Sequence, residues 1–241
     1  MTRPASDALP LSVDGLLLDM DGTLIDSGPS VERSWARLFA EYGVERSFDH
    51  RNHGQPARTV LGIEFPQLDA DGLEAAHTRI EQLEIEDAPR IRVLPGSLEL
   101  IGELVTAEQE LGRPLWTVVT SCTLPLFSAR WAATGLPEPA SVVTVDQVTR
   151  GKPHPEPFEV GAERLGIAPS RALVLEDAVG GRRGAPPPRT QAHAAGTKAV
   201  ALTTTTPAAE LAPLADAVLE SLAEVTVQVT GGALVVSRRG H

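Results

Sequence analysis

Five short apolar runs constrain this chain more than any other feature. They lie at residues 16–18, 115–119, 142–145, 172–175 and 199–202. A strand covered on both faces reads as a continuous apolar run, not as an alternation. Helical periodicity fills the spaces between runs. Val31, Trp35, Leu38, Phe39 and Tyr42 share one helical face, with Gly43 placed to end it. Leu73, Ala76, Ile80 and Leu83 mark a second helix, with Asp69 or Asp71 as N-cap. Leu98, Ile101 and Leu104 mark a third, and Phe158, Ala162 and Leu165 a fourth, before Gly166. Strands alternating with helices predict an α/β, Rossmann-like parallel sheet. Val225, Val227 and Val229 then alternate before Gly231 and Gly232, and residues 234–236 follow, which predicts a closing β-hairpin.

The first run ends at Asp19, and the next begins only near Leu115. That gap is too long for an ordinary crossover connection. Its periodicity is helical, so the chain divides into a core of residues 1–25 and 95–241 and a small inserted helical domain of residues 26–94. The net charge of −11 disfavours nucleic acid and anionic membrane surfaces as partners. One cysteine, Cys122, excludes an internal disulfide and a cysteine-based zinc cluster. No apolar stretch reaches the roughly 18 residues of a membrane span, and the first ten residues lack a hydrophobic signal core. A cytoplasmic protein, monomeric or weakly homo-oligomeric, is expected.

Three runs stop at residues that can do chemistry, which matters because open α/β sheets bind ligands beyond the carboxyl ends of their strands. Asp19 and Asp21, in Asp19-Met20-Asp21-Gly22-Thr23, are two carboxylates that can divide nucleophilic and proton-transfer work. Thr120 and Ser121 offer hydroxyls and backbone N–H groups suited to phosphoryl oxygens, or equally a helix cap. Glu176 and Asp177 can hold a hard cation, or stand as solvated turn acids. Lys152, between Gly151 and Pro153, is a positioned point charge or a surface lysine.

Each signal is ambiguous alone; their order along the chain is specific. Asp19 to Thr23, Thr120, Lys152 and Glu176-Asp177 together resemble the four motifs of the haloacid dehalogenase-like (HAD) hydrolases. Trp35, Glu41-Tyr42-Gly43-Val44, His53-Gly54-Gln55, the stretch from Arg90 to Gly96 and the Gly151-Lys152-Pro153-His154-Pro155-Glu156-Pro157 loop narrow the likeness. They are similar to small-cap sugar and polyol phosphatases such as the glycerol-1-phosphatase and 2-deoxyglucose-6-phosphatase group.

The resemblance implies a HAD fold whose 26–94 insertion is the cap. It implies a Mg²⁺-dependent phosphatase for a small phosphorylated sugar or polyol. Asp19 would be the nucleophile, forming an aspartyl-phosphate, and Asp21 the general acid and then base. Thr120, Ser121 and Lys152 would hold phosphoryl oxygens. Asp19, the Asp21 main-chain carbonyl and Asp177 would bind Mg²⁺, with Glu176 helping. His53, Gln55 and Arg58 of the cap are candidate substrate-binding residues.

The same motif set serves β-phosphoglucomutase-type phosphomutases, although Thr23 stands where those more often carry Val. A phosphonate hydrolase would need a cap lysine, and residues 26–94 contain none. After Asp177 the chain departs from the family pattern, running longer and through Pro186, Pro187 and Pro188, which cannot lie in a helix interior. The departure reads as a surface loop with a shortened helix or as a locally scrambled reading frame, and it keeps a catalytically impaired binding or regulatory protein as a third alternative, against which the retained Asp19, Asp21, Lys152 and Asp177 argue.

Overall fold

The computed structural model describes residues 8–48, 57–178 and 190–240. The chain enters through β1 (Leu11–Val13) and β2 (Gly15–Leu18), followed by the short β3 (Ile25–Asp26). Three helices come next: α1 (Gly28–Glu41), α2 (Ala57–Glu64) and α3 (Ala70–Asp87). The chain returns through β4 (Arg92–Val93) to α4 (Ser97–Leu111), β5 (Trp116–Val119), α5 (Leu124–Thr134) and β6 (Val142–Val143). Then follow α6 (Glu156–Arg164), β7 (Ala172–Glu176), α7 (Gln191–Ala194), β8 (Lys198–Leu202), α8 (Ala208–Leu211) and β9 (Ala217–Leu219). A hairpin of β10 (Val225–Thr230) and β11 (Ala233–Arg238) closes the sequence.

The central sheet is parallel, in the order β6-β5-β2-β7-β8-β9. Alternate side chains of each strand feed opposite faces. Leu16, Leu18, Val118, Leu173 and Leu175 pack with α4, α5 and the hairpin. Leu17, Val119, Ala172 and Val174 pack with Phe158 and Ala162 of α6 and Ala192 of α7. Both faces are dry, which is why the strands read as unbroken apolar runs. The sheet has six strands where five runs predict five. The sixth, β9, is an edge strand of three residues in an alanine-rich stretch, too short to register as a pattern. Likewise β1 is invisible in the sequence, yet it pairs antiparallel with β11 to make a three-stranded sheet.

Helices α1, α2 and α3 bury their own core. Trp35, Leu38, Phe39, Phe65, Ile80 and Leu83 form a cluster separate from the two that flank the sheet. Its rings sit in tilted pairs, Trp35–Phe39 at 5.9 Å and Phe39–Phe65 at 5.7 Å between centroids, within the range aromatic pairs prefer. The Asp69 carboxylate caps α3 by accepting from the Gly72 N–H. Two short strands, β3 and β4, lie antiparallel where the chain leaves and returns. Leu24 O accepts there from both Leu94 N and Ser97 Oγ, at 2.9 Å each. Among the described residues no helix is long and apolar enough to cross a membrane.

Gly96 is required at that return point. Its φ is +88°, and a Cβ there would meet Ala223 N at 2.0 Å. Gly102, inside α4, faces open space. Gly96→Ala is therefore expected to destabilise the fold by about 2 kcal/mol or more, whereas Gly102→Ala should stabilise it by roughly 0.5–1 kcal/mol. Urea unfolding of the two variants checks this; equal effects would contradict it.

Candidate active site

The carboxyl ends of β2, β5, β7 and β8 converge on one cluster. β2 ends at Leu18 and the next residue is Asp19, whose N–H bonds to Leu175 O of β7. The chain then turns tightly, because the Thr23, Leu24 and Ile25 N–H groups all close on Met20 O. Gly22 makes the turn possible at φ +81°, and a Cβ there would meet Asp177 Oδ2 at 2.3 Å. No other residue allows the two loops so close.

Lys152 Nζ donates to Asp19 Oδ1 at 2.5 Å, and both side chains are about nine-tenths buried. One further contact on the lysine and a brace on its loop are seen. Its ammonium lies 5.0 Å from the Phe158 ring centroid, and Glu156 accepts from the Thr149 and Arg150 N–H groups to fix the preceding loop. Thr23 Oγ1 lies 3.4 Å from both Asp19 Oδ2 and Asp177 Oδ1, so one hydroxyl touches both carboxylates. Thr205 donates to the other Asp177 oxygen, and Thr204 to Gly22 O. Gln191 Nε2 donates to Glu176 Oε2 at 2.6 Å.

The electrostatics follow from burial. Glu176 and Asp177 sit where water cannot solvate their charge, and Asp19 repels both. The Glu176 carboxyl is pushed up to about 8 and that of Asp177 to about 7. Burial works against the Lys152 ammonium, but Asp19, Glu176 and Asp177 outweigh it and hold its pKa above the ordinary lysine value.

Asp21 points elsewhere. Arg130 Nη1 donates to Asp21 Oδ1 at 2.7 Å, and the Cys122 thiol donates to Oδ2 at 3.2 Å. Burial, with Asp21 alongside, raises the thiol pKa well above its ordinary value. Thr120 accepts from the Cys122 N–H at 3.1 Å, while Thr123 is the residue that caps α5. Thr120 is therefore free of the helix-capping role that the sequence left open for it, and Ser121 lies half-buried beside it.

The structure brings together Asp19, Lys152, Glu176 and Asp177, and it places Asp21, Thr120 and Ser121 on the adjoining strand-end loops. Arg58 makes its described contacts within residues 57–87. It lies exposed on α2, paired with Glu74 of α3. His53, Gln55 and the triple proline lie outside the described residues. Among the described residues, the helix that follows β7, α7, has four residues. Gln191, Thr204, Thr205, Arg130 and Glu84 escape sequence reasoning. Arg130 left one trace: it shares the buried face of α5 with Leu126, Phe127 and Trp131, where a charge is unexpected.

The donor set suits a hard cation. Among the described residues, Glu176 Oε1 is buried with no hydrogen-bond partner, and Lys152 is the cation paired with Asp19. Among the described residues no three His, Cys, Asp or Glu side chains form a metal-enclosing group. Mg²⁺ needs none, since it takes one or two carboxylates and keeps waters. Asp19 and Asp177 are two carboxylates brought together by one hydroxyl, that of Thr23.

A family model described as haloacid dehalogenase-like hydrolase matches residues 13–185. Hexitol phosphatase A of Escherichia coli (strain K12) is 38% identical over 168 residues, covering 69% of this chain and 76% of that protein. Validoxylamine A 7'-phosphate phosphatase of Streptomyces hygroscopicus subsp. limoneus is 32% identical over 217 residues, covering 87% and 94%. A solved β-phosphoglucomutase from Clostridium difficile has a TM-score of 0.70 at 16% identity, covering 89% of this chain and 93% of that one. At that identity the likeness is one of fold.

The raised carboxyls predict a pH dependence. Unfolded, Glu176 and Asp177 lose their protons near 4.5 and 3.8; folded, they keep them to about 8 and about 7. The folded state binds more protons in between, so this contribution is present at the acidic end and lost as pH rises. Metal-free protein is expected to lose about 2 kcal/mol or more between about pH 5 and about pH 8. Added Mg²⁺ should restore it, more strongly at the alkaline end. Thermal unfolding with and without EDTA tests this; a metal effect that shrinks with rising pH would contradict it.

Proposed function

This chain belongs to the haloacid dehalogenase-like hydrolases, and we propose that within that family it is a Mg²⁺-dependent phosphatase for a small sugar or polyol phosphate. The observation that carries the reading is the contact between Lys152 and Asp19 inside a buried group of carboxylates. Two curated phosphatases at 38% and 32% identity support it; one is named for a hexitol and the other for validoxylamine A 7'-phosphate. A phosphomutase reading rests on likeness of fold alone.

In this reading Asp19 attacks the phosphorus and becomes the aspartyl-phosphate. Lys152, already beside the attacking carboxylate, offsets the repulsion between it and the phosphate monoester. Thr120, Ser121 and neighbouring backbone N–H groups hold the phosphoryl oxygens. Asp21 gives a proton to the leaving alcohol and later takes one from water. Asp19, Asp177 and the Asp21 carbonyl would hold Mg²⁺, with Glu176 acting directly or through water. When bound, the ion offsets negative charge on the phosphoryl oxygens. Residues 26–94 serve as the cap that chooses the alcohol, an assignment supported by their separate core and by the β3–β4 crossing. His53 and Gln55 remain our candidates for contacting it; Arg58, held by Glu74, is a weaker one.

Phosphate release from hexitol, deoxysugar and glycerol phosphates, with Mg²⁺ or EDTA, tests the proposal. Release is expected to need Mg²⁺. Asp19→Asn should lower it at least about a thousandfold, and Lys152→Ala by roughly 10²–10³-fold. Movement of phosphate within β-glucose 1-phosphate, without release, would overturn the phosphatase reading in favour of a mutase.

A further inference from the structure

Arg130 is an arginine buried in a helix core. Its side chain is 3% exposed. A buried guanidinium is costly unless it is paired; among the described residues Nε has no hydrogen-bond partner, and the two Nη groups are divided between two elements distant in sequence. Nη1 donates to Asp21 Oδ1 at 2.7 Å and lies 3.2 Å from Cys122 Sγ. Nη2 donates to Glu84 Oε2 at 2.9 Å. Glu84 is itself buried, on the inner face of α3, with Trp35 of α1 as a further hydrogen-bond partner. A second bond joins the same two helices, from Thr123 at the start of α5 to Glu81 of α3.

An ion pair serving packing alone would be complete with Arg130 and Glu84. Here the second arm reaches the strand-end loop and takes one oxygen of Asp21. The planar fork fixes the angle between its two partners, which a lysine ammonium would not do. The Asp21 carboxylate is therefore aimed by a side chain whose other end is held by α3.

We propose that Arg130 is a positioning residue: it aims the Asp21 carboxylate for proton transfer and, through Glu84, makes that aim depend on where α3 sits. The proposal rests on the phosphatase reading above. In the step concerned, an Asp19 oxygen bonds to phosphorus and the bond from phosphorus to the ester oxygen breaks. The electron pair passes to that oxygen, which takes the proton from Asp21. An alkyl alcohol needs that proton to leave; p-nitrophenolate does not.

The experiment compares glycerol 1-phosphate turnover with the first-turnover burst of p-nitrophenolate from p-nitrophenyl phosphate, both with Mg²⁺. Arg130→Gln is expected to lower kcat on glycerol 1-phosphate by at least about tenfold, with KM moved less than about twofold. The burst rate should fall far less, within about threefold. Glu84→Gln should show the same split, smaller. Arg130→Gln leaves Glu84 buried without its partner, so the double variant Arg130→Gln/Glu84→Gln, which removes both charges at nearly constant volume, is measured beside it. Arg130→Lys keeps the charge and loses the fork, and should stay impaired on the alkyl ester.

Equal losses on both substrates would assign Arg130 to packing alone and overturn the proposal, as would wild-type rates in the variants. A wild-type enzyme that releases phosphate from neither ester would remove the phosphatase reading and this proposal with it. Those two failures are told apart by the wild-type control.

Discussion

Asp19, Lys152, Glu176 and Asp177 are buried together, and much of the local architecture answers that one electrostatic constraint. Charges taken out of water are costly unless paired and hydrogen-bonded. The sheet supplies the dry floor, since β2, β5 and β7 are buried along their whole length and apolar but for Thr117 and the terminal Glu176. The loops then supply the polar contacts: Thr23 beside two carboxylates, Thr205 on Asp177, Gln191 on Glu176. Among the described residues, what is left over is a crowd of carboxyls held above their ordinary pKa and a partnerless Glu176 oxygen, which is what a site for a cation should look like from the protein's side.

The same constraint explains why one glycine is indispensable. Asp177 can approach the Asp19 loop only because residue 22 has no side chain. The loop after β8 completes the enclosure through Thr204 and Thr205. Asp21 follows Asp19 by two residues, but its carboxylate faces Arg130 and Cys122, so one turn sends its two acids into different surroundings.

The sheet was legible because parallel strands buried on both sides cannot hide: residues 16–18 and 172–175 are unbroken apolar runs ending in acids. Helices α1, α3, α4 and α6 were legible from their spacing, and the cap of α3 as Asp69 or Asp71; α2, α7 and α8 were not. Strands of three residues, β1 and β9, left no pattern, because their pairing comes from the tertiary fold and not from local propensity. In the site, the acids and Lys152 announced themselves by position. Gln191, Thr205, Arg130 and Glu84 did not, since each acts through a contact between segments far apart in sequence. Arg58 shows the reverse. It looked available in the sequence, and only the fold reveals Glu74 beside it.

The central claim is that Asp19 carries the phosphoryl group during turnover. Acid quenching in mid-turnover, borohydride reduction of acyl phosphates and peptide mass analysis would locate it. The account predicts conversion of Asp19 to homoserine, dependent on substrate and at no other carboxylate. Turnover that proceeds with Asp19 unmodified, or reduction at Asp21 or Asp177 instead, would contradict it.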